Sequence, residues 1–136
     1  MRKILFLSLL ALALASCCAC SIKTRHDSRP LLDSKWVLIQ KDGLAVTTND
    51  NYNFVVTVDG KLAGKGDCNQ IMGEYVLSDK NKIKFSSMAA SRMMCPNAKA
   101  EAEFLALFER ADNYALDVRL LMLFEGNDLL AIFEAK

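Results

Sequence analysis

The chain has 136 residues, with 17 Lys and Arg against 16 Asp and Glu and a formal charge of +1. That is one domain's worth of chain, and a near-neutral balance of mixed sign lacks the basic face that nucleic acid requires. Hydrophobic residues make up 52%, but the first fifteen positions inflate that figure, so it does not describe a greasy fold.

Met1-Arg2-Lys3 precedes an apolar run from Ile4 to Ala15, which closes on Leu14-Ala15-Ser16-Cys17. Twelve residues at ~1.5 Å rise cover about 18 Å, short of the roughly 30 Å hydrocarbon core, so the run reads as a secretory signal rather than a span. The last four residues match the bacterial lipobox, which predicts a signal peptide over 1–16, cleavage before Cys17 and lipidation of that cysteine. Cleavage removes sixteen residues, Arg2 and Lys3 among them, and leaves 120 with 15 basic and 16 acidic side chains. No later stretch approaches eighteen apolar residues, so the lipid is the expected membrane attachment. Cys18 follows the lipidated residue where an aspartate is associated with inner-membrane retention. In a cell with two membranes the expected location is therefore the outer membrane, facing the periplasm.

Residues 17–33 are polar, unpatterned and interrupted by Pro30, and read as a flexible tether reaching about 55 Å at ~3.4 Å per residue. The domain is expected over 34–136, as a monomer. Lys35 to Gln40 reads as a strand ended by Lys41-Asp42-Gly43. Tyr52, Phe54, Val56 and Val58 alternate as in a half-buried strand, and Asp59-Gly60 predicts a type I′ hairpin turn into Lys61 to Gly66. Gly73 to Leu77 and Lys82 to Phe85 follow as strands around a turn at 78–81, with Lys82 and Lys84 on the wet face. The rhythm then changes. Ala100, Phe104, Leu107, Phe108 and Ala111 recur at helical spacing and predict a helix over 97–111, with Glu101 and Glu103 early and Arg110 late. Tyr114 to Val118, Arg119 to Glu125 and Leu129 to Glu134 read as closing strands, the last two joined by a tight turn at Gly126-Asn127-Asp128. The expected fold is mainly β with one α-helix: a small antiparallel barrel or strongly coiled sheet.

Export into an oxidising space makes Cys68 and Cys95 disulfide candidates. The bridge would close a loop of about 28 residues, for which the chain-entropy model gives roughly 3.6 kcal/mol. Two free buried thiols are the alternative. Zinc needs three or four ligands, and the one histidine, His26, falls in the tether. Cys18 and Cys20 are left unassigned. A domain without histidine has no Ser/His/Asp or Cys/His system, and Asp67 and Glu74 read as solvated strand-end charges. Met72, Met88, Met93 and Met94 could suit a soft metal such as Cu(I), but methionine is more often core filler, and Met88, Met93 and Met94 flank an expected buried turn. Trp36 is expected in the core. Asn69 sits in a glycine-bounded turn suited to an Asx-type hydrogen bond. Arg92, inside Met-Ala-Ala-Ser-Arg-Met-Met, either satisfies carbonyls and a carboxylate or lines a pocket for an anionic or apolar ligand.

Two segments resemble a known family. Gly66-Asp67-Cys68-Asn69-Gln70 with Gly73-Glu74-Tyr75, and Ser87-Met88-Ala89-Ala90-Ser91-Arg92-Met93-Met94-Cys95-Pro96, are similar to the motifs of the META domain of HslJ-like bacterial lipoproteins. The likeness extends over about 33–136, with Ser91 where threonine is common. It implies a lipocalin-like small β-barrel with one helix, no cofactor and no established enzymatic activity. It makes Asn69, Gly73, Tyr75 and Arg92 the motif residues to follow. The resulting expectation is a lipid-anchored, non-catalytic envelope protein, a binding or stress and envelope-maintenance module with an envelope protein or small ligand as partner. The alternatives are a ligand-binding barrel with Arg92 in its pocket, a purely structural envelope protein without a concave pocket, and an unrecognised enzyme.

Overall fold

The computed structural model describes residues 30–136, so the signal peptide, Cys17 and most of the tether lie outside the described residues. The elements in chain order are β1 (Trp36–Lys41), β2 (Leu44–Ala45), β3 (Asn53–Val56), β4 (Lys61–Lys65), β5 (Gln70–Ser78), β6 (Lys82–Ala90), α1 (Ala98–Arg110), β7 (Asn113–Asp117), β8 (Leu120–Glu125) and β9 (Asp128–Ala135). They form one antiparallel sheet in the order β2-β1-β3-β4-β5-β6-β7-β8-β9, and β1 pairs again with β9. Eight strands thus curl into a ring, and the two-residue β2 extends past β1. The mainly β expectation with one helix holds.

The ring is weakest between β6 and β7, which share a single residue pair, Lys82 with Asn113. Helix α1 packs against β6 and β8 across this seam. Its buried face carries Glu101, Phe104, Leu107 and Phe108. Phe108 meets Phe54 and Phe85 edge-on at centroid distances of 5.1 Å, and Phe54 meets Phe133 at 5.1 Å. Edge-to-face rings at this spacing add to the area they bury. Around them the strands alternate as a half-buried sheet must: Ile83 and Phe85 point in while Lys82 and Lys84 stay exposed. Trp36 is fully buried, and its indole N–H donates to the Leu31 carbonyl at 2.9 Å. An eight-strand ring is just wide enough for side chains to fill it. Here they do, so its centre is packed core rather than a lipocalin-type cavity.

Several local expectations change. The fold begins before residue 34: Leu31 is buried, and the Asp33 amide donates to the Val56 carbonyl at 2.9 Å. The turn at Asp59-Gly60 is not type I′, because only Gly60 has a positive φ, +80°. The Gly60 amide donates to Thr57 at 3.1 Å and the Thr57 amide to Lys61 at 2.9 Å, which makes a four-residue turn ending on a left-handed glycine. Val58 therefore stands 84% exposed at the tip instead of continuing the alternation. The type I′ pattern belongs to Asp42-Gly43, with φ of 49° and 80°, between β1 and β2. Tyr52 also leaves the strand pattern: at φ 54° it sits just before β3. Met93 and Met94 flank no buried turn and are exposed.

Candidate functional site

The β4–β5 turn, the segment after β6 and the first turn of α1 meet in one polar knot. Cys68 and Cys95 lie at disulfide distance with Cα atoms 6.1 Å apart, within the span a bridge permits. Glu101 is 7% exposed. Its Oε1 accepts the amides of Cys68 and Asn69, both at 2.8 Å, and its Oε2 accepts Asn69 Nδ2 at 2.6 Å. Asn69 Oδ1 in turn accepts the Met93 amide at 2.8 Å and the Ser91 hydroxyl at 2.9 Å. The Gln70 amide donates to Ser91 Oγ at 3.1 Å. Burial pushes the Glu101 carboxyl up, but the donors from Asn69, Cys68 and Asp67 outweigh it and hold the group below its ordinary range. Gly66 belongs to the same device, since a Cβ there would stand 2.7 Å from Glu101 Oε1.

Cys68, Cys95 and Glu101 also cluster closely enough to suggest three metal ligands. Two sulfurs at bonding distance cannot both act as thiolate ligands, and Glu101 already has three N–H donors. The chemistry of this knot is therefore structural. It clips the β4–β5 turn to the start of the helix that covers the seam.

The remaining motif residues separate. Gly73 is buried opposite Met88, whose sulfur occupies the place of a Cβ. Tyr75 is buried and donates its hydroxyl to the Thr57 carbonyl at 2.7 Å, closing the far end of the β3–β4 hairpin. Arg92 joins neither the knot nor the cleft described below. It is exposed and has no side-chain hydrogen bond or ion pair among the described residues. Its apolar sequence neighbours are themselves at the surface, so the guanidinium is never drawn inward.

The family model for the META domain matches residues 29–136, which takes in every described residue. The chain belongs to the META domain family. Among solved structures it is similar to an NMR structure of a protein from Burkholderia xenovorans, at 25% identity and TM-score 0.61, covering 78% of this chain and 83% of that one. A second NMR structure matches at 21% identity and TM-score 0.59, over 74% and 87%. A crystal structure of a DUF4847 family protein from Bacteroides vulgatus matches at 14% identity and TM-score 0.56, over 77% and 93%, and shares the fold alone. None of the curated proteins matches the chain. In this META domain the two motif segments are thus the two sides of the Asn69–Glu101 knot.

A cleft of about 350 Å³ opens between the chain from Val46 to Tyr52 and the start of α1. Leu38, Val46, Tyr52, Ala100 and Phe104 give it apolar walls; Lys41, Thr48, Asn51, Asp67 and Asn97 give it a polar rim. Tyr52 stacks edge-on against Phe104 at 5.4 Å. Asn97, at the helix N-cap, makes no side-chain capping bond and instead donates to Asp67 Oδ2 at 2.8 Å. Three residues of the wall chain, Asn49, Asp50 and Tyr52, have positive φ without being glycine. Such conformations cost energy and collect where a segment is shaped for a task.

Sequence reasoning missed Glu101 as a buried group and missed this cleft. Glu101 had a readable signal: with Phe104 and Phe108 it falls at i, i+3 and i+7, on the apolar stripe itself. Ala100, placed on that stripe by sequence, is exposed and lines the cleft instead.

Proposed function

We propose that this META domain is a lipid-anchored, non-catalytic module of the bacterial cell envelope, held at the membrane through Cys17. The observation that carries this reading is the Cys68–Cys95 pair at disulfide distance, because such bridges persist in oxidising compartments. It agrees with the secretory leader and lipobox at the other end of the chain. The non-catalytic part rests on the polar groups of the motifs. Glu101, Asn69, Ser91 and Tyr75 spend their hydrogen-bonding capacity inside the fold. Binding rather than chemistry is what the cleft beside α1 offers.

Labelling cells with a fatty-acid analogue tests the anchor. Wild type is expected to carry the label, to fractionate with the outer membrane where there are two membranes, and to show no free thiol at Cys68 or Cys95 before reduction. Cys17→Ser should remain uncleaved and unlabelled. Normal labelling of that variant, or alkylation of both Cys68 and Cys95 in unreduced, unfolded protein, overturns the reading.

A further inference from the structure

We propose that the cleft between Val46–Tyr52 and the start of α1 binds a small organic cation, an ammonium group carried on an apolar or aromatic body. The proposal stands independently of the lipid anchor. Its volume, about 350 Å³, falls at the small end of ligand pockets, which run from ~300 to 1,000 Å³. The walls supply Leu38, Val46 and two aromatic rings, Tyr52 and Phe104. Phe104 is only 1% exposed, so the half-buried Tyr52 is the ring an incoming ligand meets, and an aromatic ring attracts an organic ammonium.

Charge decides the sign of the ligand. The cleft lining contains one cation and one anion, Lys41 and Asp67. Lys41 Nζ is held between two carboxylates, Asp42 at 3.0 Å and Glu103 at 2.9 Å, so its own surroundings already outweigh it. Asp67 takes a neutral donor, Asn97 Nδ2, and no ion pair among the described residues. Helix α1 points its positive end here, but that amounts to roughly half a charge. Asp67 beside it and buried Glu101 behind it outweigh the dipole. The phenol of Tyr52 registers the same field: after burial, Asp67 and Glu101 both raise its pKa. A carboxylate or phosphate ligand would enter against this potential, whereas an ammonium would meet Asp67 at the rim.

The test uses the intact chain purified in lipid nanodiscs, with ligand-observed saturation-transfer NMR against three probes of one shape: benzyltrimethylammonium, benzyl alcohol and phenylacetate. Empty nanodiscs give the background. The cation is expected to bind with a dissociation constant of about 1 mM or tighter and at least about tenfold better than phenylacetate. Asp67→Asn, which keeps an acceptor for Asn97, should weaken the cation about tenfold and leave benzyl alcohol unchanged. Ala100→Trp fills the cleft from an exposed helix position and should abolish binding of all three with no change in melting temperature. Signal no greater than on empty nanodiscs, equal binding of the anion, unchanged cation affinity in Asp67→Asn, or binding that survives Ala100→Trp each overturns the proposal.

Discussion

The two sides of α1's first turn solve opposite problems. On one side Glu101, Asn69 and Ser91 use their polar groups on one another, beside a disulfide-distance pair and a glycine with no room for a Cβ. On the other, the chain from Thr47 to Tyr52 runs through left-handed backbone at Asn49, Asp50 and Tyr52 and leaves a cleft between itself and the helix. Both lie within a turn of the same helix. The difference teaches that the family motif maintains a rigid edge, while the less conspicuous segment beside it forms the concave surface. Of the motif segments only Asp67 reaches the cleft, and the rest of the concave wall comes from outside them.

The largest effect should come from removing the keystone of the rigid side. Glu101→Ala leaves the Cys68 and Asn69 amides and Asn69 Nδ2 without their acceptor in a buried setting. Hydrogen bonds to a charged group are worth about 1.5–3 kcal/mol each and are not additive, so a loss of roughly 3–5 kcal/mol is expected. Phe108→Ala, which empties the aromatic centre, should cost a similar ~3–5 kcal/mol. Chemical denaturation of the two variants compares a polar knot with a core of rings. If Glu101→Ala melts with wild type while Phe108→Ala does not, the knot is ornamental and the comparison fails.

Much of this molecule was legible in advance, for identifiable reasons. Alternation in Ile83 and Phe85 against Lys82 and Lys84, and helical spacing through Phe104, Leu107 and Phe108, follow from periods of two and 3.6. The Cys68–Cys95 pairing was anticipated from cysteine count and the export that the leader sequence led us to expect. Turn type was not, because Asp42-Gly43 and Asp59-Gly60 present the same dipeptide and only the register of the flanking strands separates them. Arg92 misled for a related reason: apolar neighbours in sequence do not bury a residue when the chain runs along the surface. The cleft was illegible since its walls, Leu38, Val46, Tyr52 and Phe104, come from distant positions with no shared pattern.

A smaller effect separates the charge of Glu101 from its shape. Its carboxyl titrates below the ordinary 4.5 in the folded protein. The stability it contributes is therefore fully present above that value, and is lost as pH falls through the lower folded value. In Glu101→Gln an NH₂ faces Asn69 Nδ2, donor against donor, so the variant should be less stable at neutral pH by about 1–3 kcal/mol. The gap between variant and wild type should narrow as pH drops below 4.5. Glu74, Glu103 and Asp112 are also held low by hydrogen bonds, but at exposed positions where such pairs contribute little, and they are shared by both proteins. A gap that stays constant down to full acid would show that Glu101 acts through packing alone.

The smallest effect probes the strained side with changes of a few atoms. Gly66→Ala, on the rigid side, drives a methyl against a carboxylate fixed by three donors and should cost about 1–3 kcal/mol. Asp50→Gly, on the cleft side, relieves a left-handed residue at φ 64°. The Asp50 carbonyl that accepts Asn53 Nδ2 is retained, and the lost ion pair with Lys35, 3.9 Å long and largely solvated, is worth little. Relief of strain, about 1 kcal/mol, is offset by the extra freedom that glycine gives the unfolded chain. The melting temperature of Asp50→Gly should therefore equal or slightly exceed that of wild type, with a stability change within about 1 kcal/mol. A loss as large as that of Gly66→Ala would mean that the aspartate side chain itself braces the cleft wall, and that the two sides of the helix are equally rigid.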